Sequence, residues 1–178
     1  LIAADIEVQV EGALLDGIAP GAPPIDLSLG EPRSLIPSFL GPTLERHISE
    51  FGKYPPIRGI AGLREAIASW LGRRYPPLAG RIDAETQVLP LNGSREGLFS
   101  AIFPLLARKV SVTRPAVLIP NPFYQAYAAA AAASGAEPIF LECDAATQYL
   151  PALDDIDEAL LRRTVALYLC SPSNPQGA

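Results

Sequence analysis

The feature that most constrains the fold is a regular alternation of strand-like and helical segments after Gly62. Short apolar runs predict four strands, at Thr86–Leu91, Ala116–Ile119, Pro138–Leu141 and Val165–Leu169. Strands that alternate with helices require crossover connections, and crossovers produce a mostly parallel sheet. The sequence therefore predicts an α/β fold built from strand–helix–strand units.

Helical segments are predicted between and before these strands. The first is amphipathic and is expected to turn Arg64 outward with its other charged residues, since its apolar residues recur at helical spacing (Leu63, Ile67, Trp70 and Leu71). Ser94 to about Ala107 is apolar on two faces, which predicts a buried helix. Tyr124 to Ser134 is rich in alanine, the best helix former, and Gly135 supplies its end.

A last helix is predicted to start at Asp155. Glu158 stands three residues later, as in a capping box, and Arg162 and Arg163 suit the negative end of the helix dipole. Within this scheme Pro90 is awkward, because proline removes a hydrogen-bond donor from a strand.

The N-terminal third has a different character. Residues 1 to about 60 are rich in proline and glycine, which excludes long helices and predicts an extended arm with short elements. One short helix is expected near Pro42, carrying Leu44 and Ile48. We accordingly divide the chain into an arm and small-domain segment, residues 1–50, and a larger α/β portion, residues 51–178.

Composition excludes several classes of function. The 14 basic and 19 acidic residues give a net charge of −5 without a basic cluster, which argues against nucleic acid or membrane as a partner. A metal hydrolase is disfavoured, because His47 is the only histidine and no acidic cluster has ligand spacing. A dinucleotide-binding fold would need a GxGxxG turn, and Asn92–Gly97 lacks that spacing.

The two cysteines, Cys143 and Cys170, lie in apolar, strand-like surroundings without CxxC spacing. They predict reduced core thiols and a cytoplasmic protein. The N-terminus has no basic segment typical of a signal peptide. Because the chain begins at Leu1 and contains no methionine, we expect it to be an incomplete portion of its gene product.

Three polar motifs follow predicted strands. Asn92-Gly93-Ser94-Arg95 opens the Ser94 helix, where free backbone amides and the helix dipole suit an anion. Ser94 acting as an ordinary N-cap is the alternative. Tyr124 follows the second strand and offers a flat face for a heterocycle, or simply core packing. Asn174 follows the last strand, as a hydrogen-bonding side chain or as a turn residue.

Taken together, these motifs resemble a known family. Tyr54-Pro-Pro-Ile-Arg-Gly59, Asn92–Glu96, Pro120–Tyr127 and Ser171–Gly177 occur in the order found in the N-terminal half of class I/II aminotransferases, which use pyridoxal 5′-phosphate (PLP). The resemblance covers residues 26 to 178. It implies a three-layer αβα large domain of PLP fold type I, present here in part.

The resemblance also implies residue roles. Gly93, Ser94 and Arg95 would hold the PLP phosphate, Tyr124 would stack on the pyridine ring, and Asn174 would hydrogen-bond the phenolic oxygen. Tyr54 would reach the phosphate of the neighbouring subunit, so that a homodimer shares its active sites. Gly30, in Leu27–Pro32, would approach the substrate carboxylate, and Phe123 and Tyr127 would be structural.

Within the family, the motifs resemble the diaminopimelate branch of lysine biosynthesis. There an amino group moves between a succinylated diamino acid and 2-oxoglutarate or glutamate. The family's catalytic lysine follows the Asn-Pro-x-Gly motif. Lys53 and Lys109 do not match it, so no catalytic residue is predicted in this chain, and it is expected to be inactive alone. A PLP-dependent C–S lyase, a non-enzymatic PLP-binding domain and an inactive remnant remain alternatives.

Overall fold

The computed structural model describes residues 34–109 and 112–178. The chain divides into two compact units, and the boundary along the chain falls between Tyr54 and Pro55. In the first unit, helix α1 (Leu40–Arg46) is followed by a short 3-10 helix, Ile48–Gly52. The helix expected near Pro42 is therefore confirmed, although Ile48 lies beyond it.

The second unit is built on a three-stranded parallel sheet in the order β2-β1-β3. Its strands are β1 (Ala116–Asn121), β2 (Glu137–Glu142) and β3 (Thr164–Leu167). β1 pairs with β2 from Ala116 opposite Glu137 to Asn121 opposite Glu142, and its pairing with β3 is irregular between Ala116 and Val117. The prediction of an α/β protein with a parallel sheet is confirmed.

The described part of this unit has four α-helices: α2 (Ala61–Arg74), α3 (Ser94–Ala107), α4 (Ala126–Ala133) and α5 (Glu158–Arg163). Short 3-10 helices lie at Pro76–Leu78 and Leu153–Asp155. In the described residues, none of the helices combines the length and apolarity that a membrane crossing needs.

The core lies where α3 and α4 pack on the sheet. Val117 and Ile119 of β1 are fully buried against Ile102 of α3 and the small side chains of Ala130 and Ala131 in α4. Alanine lets the α4 backbone approach the strand closely. Gly135, at φ +78°, ends α4 and allows the chain to turn back into β2.

The expected strand at Thr86–Leu91 is wrong, since this segment is irregular. Pro90 cannot donate a ladder hydrogen bond, and no strand of the described residues pairs with the segment. A strand needs a neighbour as well as a suitable local sequence. The described sheet accordingly has three strands rather than the four predicted.

The expected burial of α3 is also wrong, although its bounds are confirmed. Ile102 is its one buried residue, while Phe103 is 43% and Leu105 41% exposed. Leu98, Phe99 and Leu106 are partly buried against the core. One face of the helix therefore packs on the sheet and the opposite apolar face is open.

Arg64 was expected to point outward, and this prediction is wrong as well. It is the only buried residue of α2, with 6% exposure. Its guanidinium donates to the Glu85 carboxylate and to the carbonyl oxygens of Arg58, Gly59 and Ala84. Burial of a charged side chain is tolerated here because each part of the group has an acceptor.

The cap of the last helix differs from the expectation. Helix α5 begins at Glu158, and Asp157, rather than Asp155, is its N-cap, its carboxylate accepting from the Leu160 amide at 2.6 Å. Asp155 ends the preceding 3-10 helix. The helix bears Leu160 and Leu161 as expected, but Ile156 precedes it.

The remaining expectations concern single side chains. Cys143 is buried as predicted, but Cys170 is exposed, so the expectation of two core thiols is half wrong; both thiols are free. Lys109 donates to the Thr164 carbonyl oxygen at 2.7 Å, which is a structural contact. His47 is exposed and lies 2.9 Å from the Glu50 carboxylate.

Candidate active site

The N-terminus of α3 forms an open set of hydrogen-bond donors. The N-cap is Gly93 in extended backbone, and no side chain caps the helix, so the alternative of Ser94 as N-cap is wrong. Within the described residues, nothing accepts a hydrogen bond from the amides of Ser94 or Glu96. The first amides of a helix carry a partial positive charge. These donors are therefore suited to an anion, and we call Gly93–Glu96 the anion cradle.

Tyr124 lies beside the anion cradle. The Arg95 guanidinium donates to the Tyr124 hydroxyl, with the guanidinium carbon 5.6 Å from the ring centre. Tyr124 follows β1 and is half-buried. The contact therefore joins the start of α3 to the carboxyl end of β1, two positions that are 29 residues apart in sequence.

Two further tyrosines, Tyr127 and Tyr168, support the ring of Tyr124. Tyr127 meets Tyr124 edge to face, with ring centres 5.7 Å apart, and stacks on Tyr168 at 4.3 Å. The Tyr168 hydroxyl donates to the Leu98 carbonyl oxygen of α3 at 2.7 Å. Burial raises the pKa of Tyr127, with the Cys170 thiol contributing, and burial also raises the pKa of Tyr168. Both phenols therefore stay protonated at neutral pH, and the Tyr168 hydroxyl can act as the donor to Leu98.

Asn174 lies in the turn that follows β3. The turn is closed by a hydrogen bond from the Gly177 amide to the Ser173 carbonyl oxygen at 2.7 Å, and Gly177 adopts φ +78°. Asn174 is exposed and lines a cleft of about 240 Å³ together with Phe123, Tyr127 and Cys170. The strands are parallel, so Tyr124 and Asn174, which follow β1 and β3, lie at the same edge of the sheet.

Sequence reasoning missed Gln176, which ties these two loops together. Its side-chain nitrogen donates to the Pro122 carbonyl oxygen at 3.1 Å. Its side-chain oxygen is buried without a hydrogen-bond partner in the described residues. In the sequence Gln176 was only the variable position of an Asn-Pro-x-Gly turn, so nothing marked it.

Two predicted site residues do not belong to the second unit. Gly30 lies outside the described residues. Tyr54 ends the first unit, and its side chain is fully exposed. The structure thus brings together Gly93, Ser94, Arg95 and Tyr124, and places Asn174 at the same sheet edge.

The residues present fit a flat ligand that carries a phosphate. In the anion cradle, the amides of Ser94 and Glu96 have no acceptor among the described residues, and a Cβ added at Gly93 would meet no atom within 4 Å, so the approach is open. Tyr124 supplies an aromatic ring and Asn174 an amide at one sheet edge. PLP has this chemistry, and when bound it supplies an electron sink for reactions at an amino-acid α-carbon.

A helix start with open backbone donors and an aromatic residue at the carboxyl edge of a parallel sheet are typical of α/β proteins that bind a phosphorylated ligand. The chain belongs to the class I and II aminotransferase family, whose model matches residues 22–178. The cofactor of this family is PLP. The predictions of the family, of fold type I and of the cofactor are therefore confirmed.

Individual relatives agree with this assignment. LL-diaminopimelate aminotransferase from Dehalococcoides mccartyi is 30% identical over 173 residues, which is 96% of this chain and 42% of the relative. The crystal structure of an aminotransferase from Neisseria meningitidis has a TM-score of 0.81 and 37% identity, over 97% of this chain and 43% of that one.

The N-succinyldiaminopimelate aminotransferase from Mycobacterium tuberculosis has a TM-score of 0.62 and 29% identity, covering 84% of this chain and 38% of that protein. This chain therefore spans between 38% and 43% of the length of these three relatives.

Proposed function

We propose that the full-length protein is a PLP-dependent aminotransferase that moves an amino group between an amino acid and 2-oxoglutarate. One observation carries the proposal. The amides of Ser94 and Glu96 have no acceptor in the described residues, and this open helix start lies beside Tyr124 at the sheet edge that also bears Asn174. Family membership supplies the cofactor for that arrangement.

In this proposal each residue has a defined task. The Ser94 hydroxyl and the amides of the anion cradle bind the cofactor phosphate, and the ring of Tyr124 lies against the pyridine. Asn174 donates from its side chain to the phenolic oxygen, because the amide nitrogen is the donor of that group. The Arg95 contact to Tyr124 limits rotation of the ring and keeps its face in one orientation.

The rest of the proposal concerns parts outside this geometry. Tyr54 would contact the phosphate of a neighbouring subunit in a homodimer, and Gly30 would approach the substrate carboxylate. Residues 1–50 would form the arm and small-domain segment, and the large domain would begin at residue 51. The cytoplasmic location stays a prediction. This chain alone would be inactive, because the lysine that binds the cofactor covalently is not among its residues.

For the amino donor we propose N-succinyl-LL-2,6-diaminopimelate. The motifs that support this choice are Tyr54–Gly59, Leu89–Phe99 and Pro120–Tyr127. Names of relatives point to diaminopimelate chemistry in both its free and its succinylated form.

The test is a panel of amino donors with the full-length protein, PLP and 2-oxoglutarate, followed by glutamate formation. We expect the succinylated diamino acid to be the best donor, ahead of free LL-diaminopimelate and aspartate. Release of ammonia and a 2-oxo acid from a thioether amino acid, without glutamate, would instead identify a C–S lyase. PLP binding without turnover of any donor would support a non-enzymatic role.

A further inference from the structure

The anion cradle is preceded by an irregular segment, Leu89–Asn92, whose position has to be set by its neighbours. Among the described residues, it has no strand partner to fix it. A groove of about 650 Å³ is lined by this segment, by the turn at Pro55–Ile60 and by the first turn of α3. The contacts across that groove therefore determine where Gly93 and Ser94 lie.

The turn approaches the segment at a glycine. Gly59 has φ +71°, and a Cβ added there would lie 2.7 Å from Cγ of Pro90. Such a distance is below any real Cβ contact, so only glycine allows this packing. Pro90, which is unfavourable in a strand, here provides a rigid ring that rests on the bare Cα of Gly59.

The first turn of α3 also contacts the segment, at Gly97. A Cβ added there would overlap Cδ1 of Leu91, but this is the end of a flexible side chain that is 59% exposed and can rotate away. The rigid contact of the segment is therefore the one between Pro90 and Gly59, and the residue after the segment is Gly93, the start of the anion cradle. Movement of Pro90 or Leu91 would shift Gly93 directly along the chain.

Arg64 holds the turn in place. Its guanidinium donates to the Gly59 carbonyl oxygen at 2.6 Å and to that of Arg58 at 3.2 Å. The same group donates to the Ala84 carbonyl oxygen at 3.2 Å and pairs with the Glu85 carboxylate, so it ties the turn to a second, distant segment of the chain. A planar guanidinium satisfies several acceptors at fixed angles, which an ammonium group cannot do.

We propose that Gly59 is a positioning residue for phosphate binding, with Arg64 fixing the turn that carries it. Neither residue belongs to the anion cradle. They set the register of Leu89–Asn92 and, through it, the direction of the amides of the anion cradle. The inference rests on the proposed function, because it assumes that the anion bound there is the PLP phosphate.

The test compares PLP with pyridoxal, which lacks the phosphate, by equilibrium binding to the full-length protein. Free pyridoxal closes to an internal hemiacetal, which PLP cannot form, but this property of the ligand is the same for every variant. The change in the ratio of dissociation constants between wild type and variant therefore reports the phosphate contacts. Gly59→Ala should lower the preference for PLP about tenfold, as expected for the loss of one charge-assisted hydrogen bond. Inorganic phosphate should compete with PLP correspondingly less well.

Gly80→Ala is the matched control. Gly80 has φ +67°, nearly that of Gly59, but a Cβ there would meet no atom within 4 Å. It carries the same backbone cost without the contact and should keep the wild-type preference. The double variant Gly59→Ala/Pro90→Ala removes Cγ of Pro90 and should restore most of the preference.

A second variant covers the case in which Gly59→Ala does not fold. Arg64→Lys keeps the positive charge next to Glu85 but loses the simultaneous hydrogen bonds to the Gly59 and Ala84 carbonyl oxygens. This variant should also lower the preference for PLP over pyridoxal. If the folded variants keep the wild-type ratio within about twofold, or lose both ligands equally, the positioning role is wrong. If the wild-type protein shows no preference for PLP, both this inference and the proposed function fail.

Discussion

At the scale of single residues, the site depends on side chains that support other side chains. Tyr124 would face the cofactor, yet its orientation is set by Arg95 at its hydroxyl and by Tyr127 at its edge. Tyr127 in turn stacks on Tyr168, which is anchored to α3 through Leu98. A change at Tyr168 should therefore alter both the free energy of unfolding and the orientation of the Tyr124 ring.

Replacing Tyr168 with phenylalanine tests this support. The ring stack on Tyr127 is kept, while the hydrogen bond to the Leu98 carbonyl oxygen is lost. We expect a loss of about 1 kcal/mol in the free energy of unfolding, the usual net value of one such bond. Urea denaturation measures it, with Tyr75→Phe, at a 47% exposed tyrosine, as the control. Equal effects of the two changes would contradict the account.

At the scale of elements, α3 has two roles. Its first turn presents the anion cradle, and its middle packs on the sheet through Ile102, which is 1% exposed. The helix can hold the cradle in place only if that packing is tight, since its opposite face is open in the described residues.

Shortening Ile102 to alanine should therefore destabilise the protein by about 2–5 kcal/mol, the range for large-to-small changes in a close-packed core. Ser100→Ala, on the exposed side of the same helix, is the matched control and should change the unfolding free energy little. Chemical denaturation of both variants is the measurement. A cost at Ile102 no larger than that at Ser100 would mean that α3 is not held by this contact.

Two ion pairs of Glu137 stabilise the start of β2. The Glu137 carboxylate accepts from Arg163 at 2.5 Å and lies 3.3 Å from Arg114, which precedes β1. The hydrogen bond from Arg163, together with the charge of Arg114, holds the pKa of Glu137 below its ordinary value of 4.5. A lowered pKa means that the folded state binds this proton less readily than the unfolded state.

The stabilisation from Glu137 should therefore be complete above pH 4.5 and disappear as the pH falls through the lowered pKa of the folded protein. We expect Glu137→Gln to lower the melting temperature near neutral pH and to have a progressively smaller effect in acid. Thermal unfolding of both proteins across this range checks the sign. A difference that grows towards low pH would refute the assignment.

At the scale of the whole molecule, the sequence predicted what is encoded locally. Short apolar runs indicated the strands β1 to β3, and the long apolar pattern after Ser94 indicated the bounds of α3. Gly135 indicated the end of α4. The order of four motifs was enough to indicate the family. What failed depends on distant contacts. Arg64 finds its acceptors up to 21 residues away, at Glu85, and no helical pattern indicates them.

The residues of the candidate site fall into the same two groups, those that local sequence indicates and those that depend on distant contacts. Gly93, Ser94, Tyr124 and Asn174 could be selected because they follow predicted strands. The absence of a cap at Ser94, the link from Gln176 to Pro122 and the fit of Gly59 on Pro90 are properties of the packed chain. Sequence reasoning thus selected the groups that would touch the ligand and missed the groups that place them.

The measurement that tests the central claim most directly is the PLP content of the full-length protein, determined by absorbance and by phosphorus analysis. The account predicts one PLP per chain, which stays bound through gel filtration. The variant in which Ser94 and Asn174 are both replaced by alanine should lose its PLP. A well-folded full-length protein that binds no PLP, or that binds it equally well without these two side chains, would contradict it.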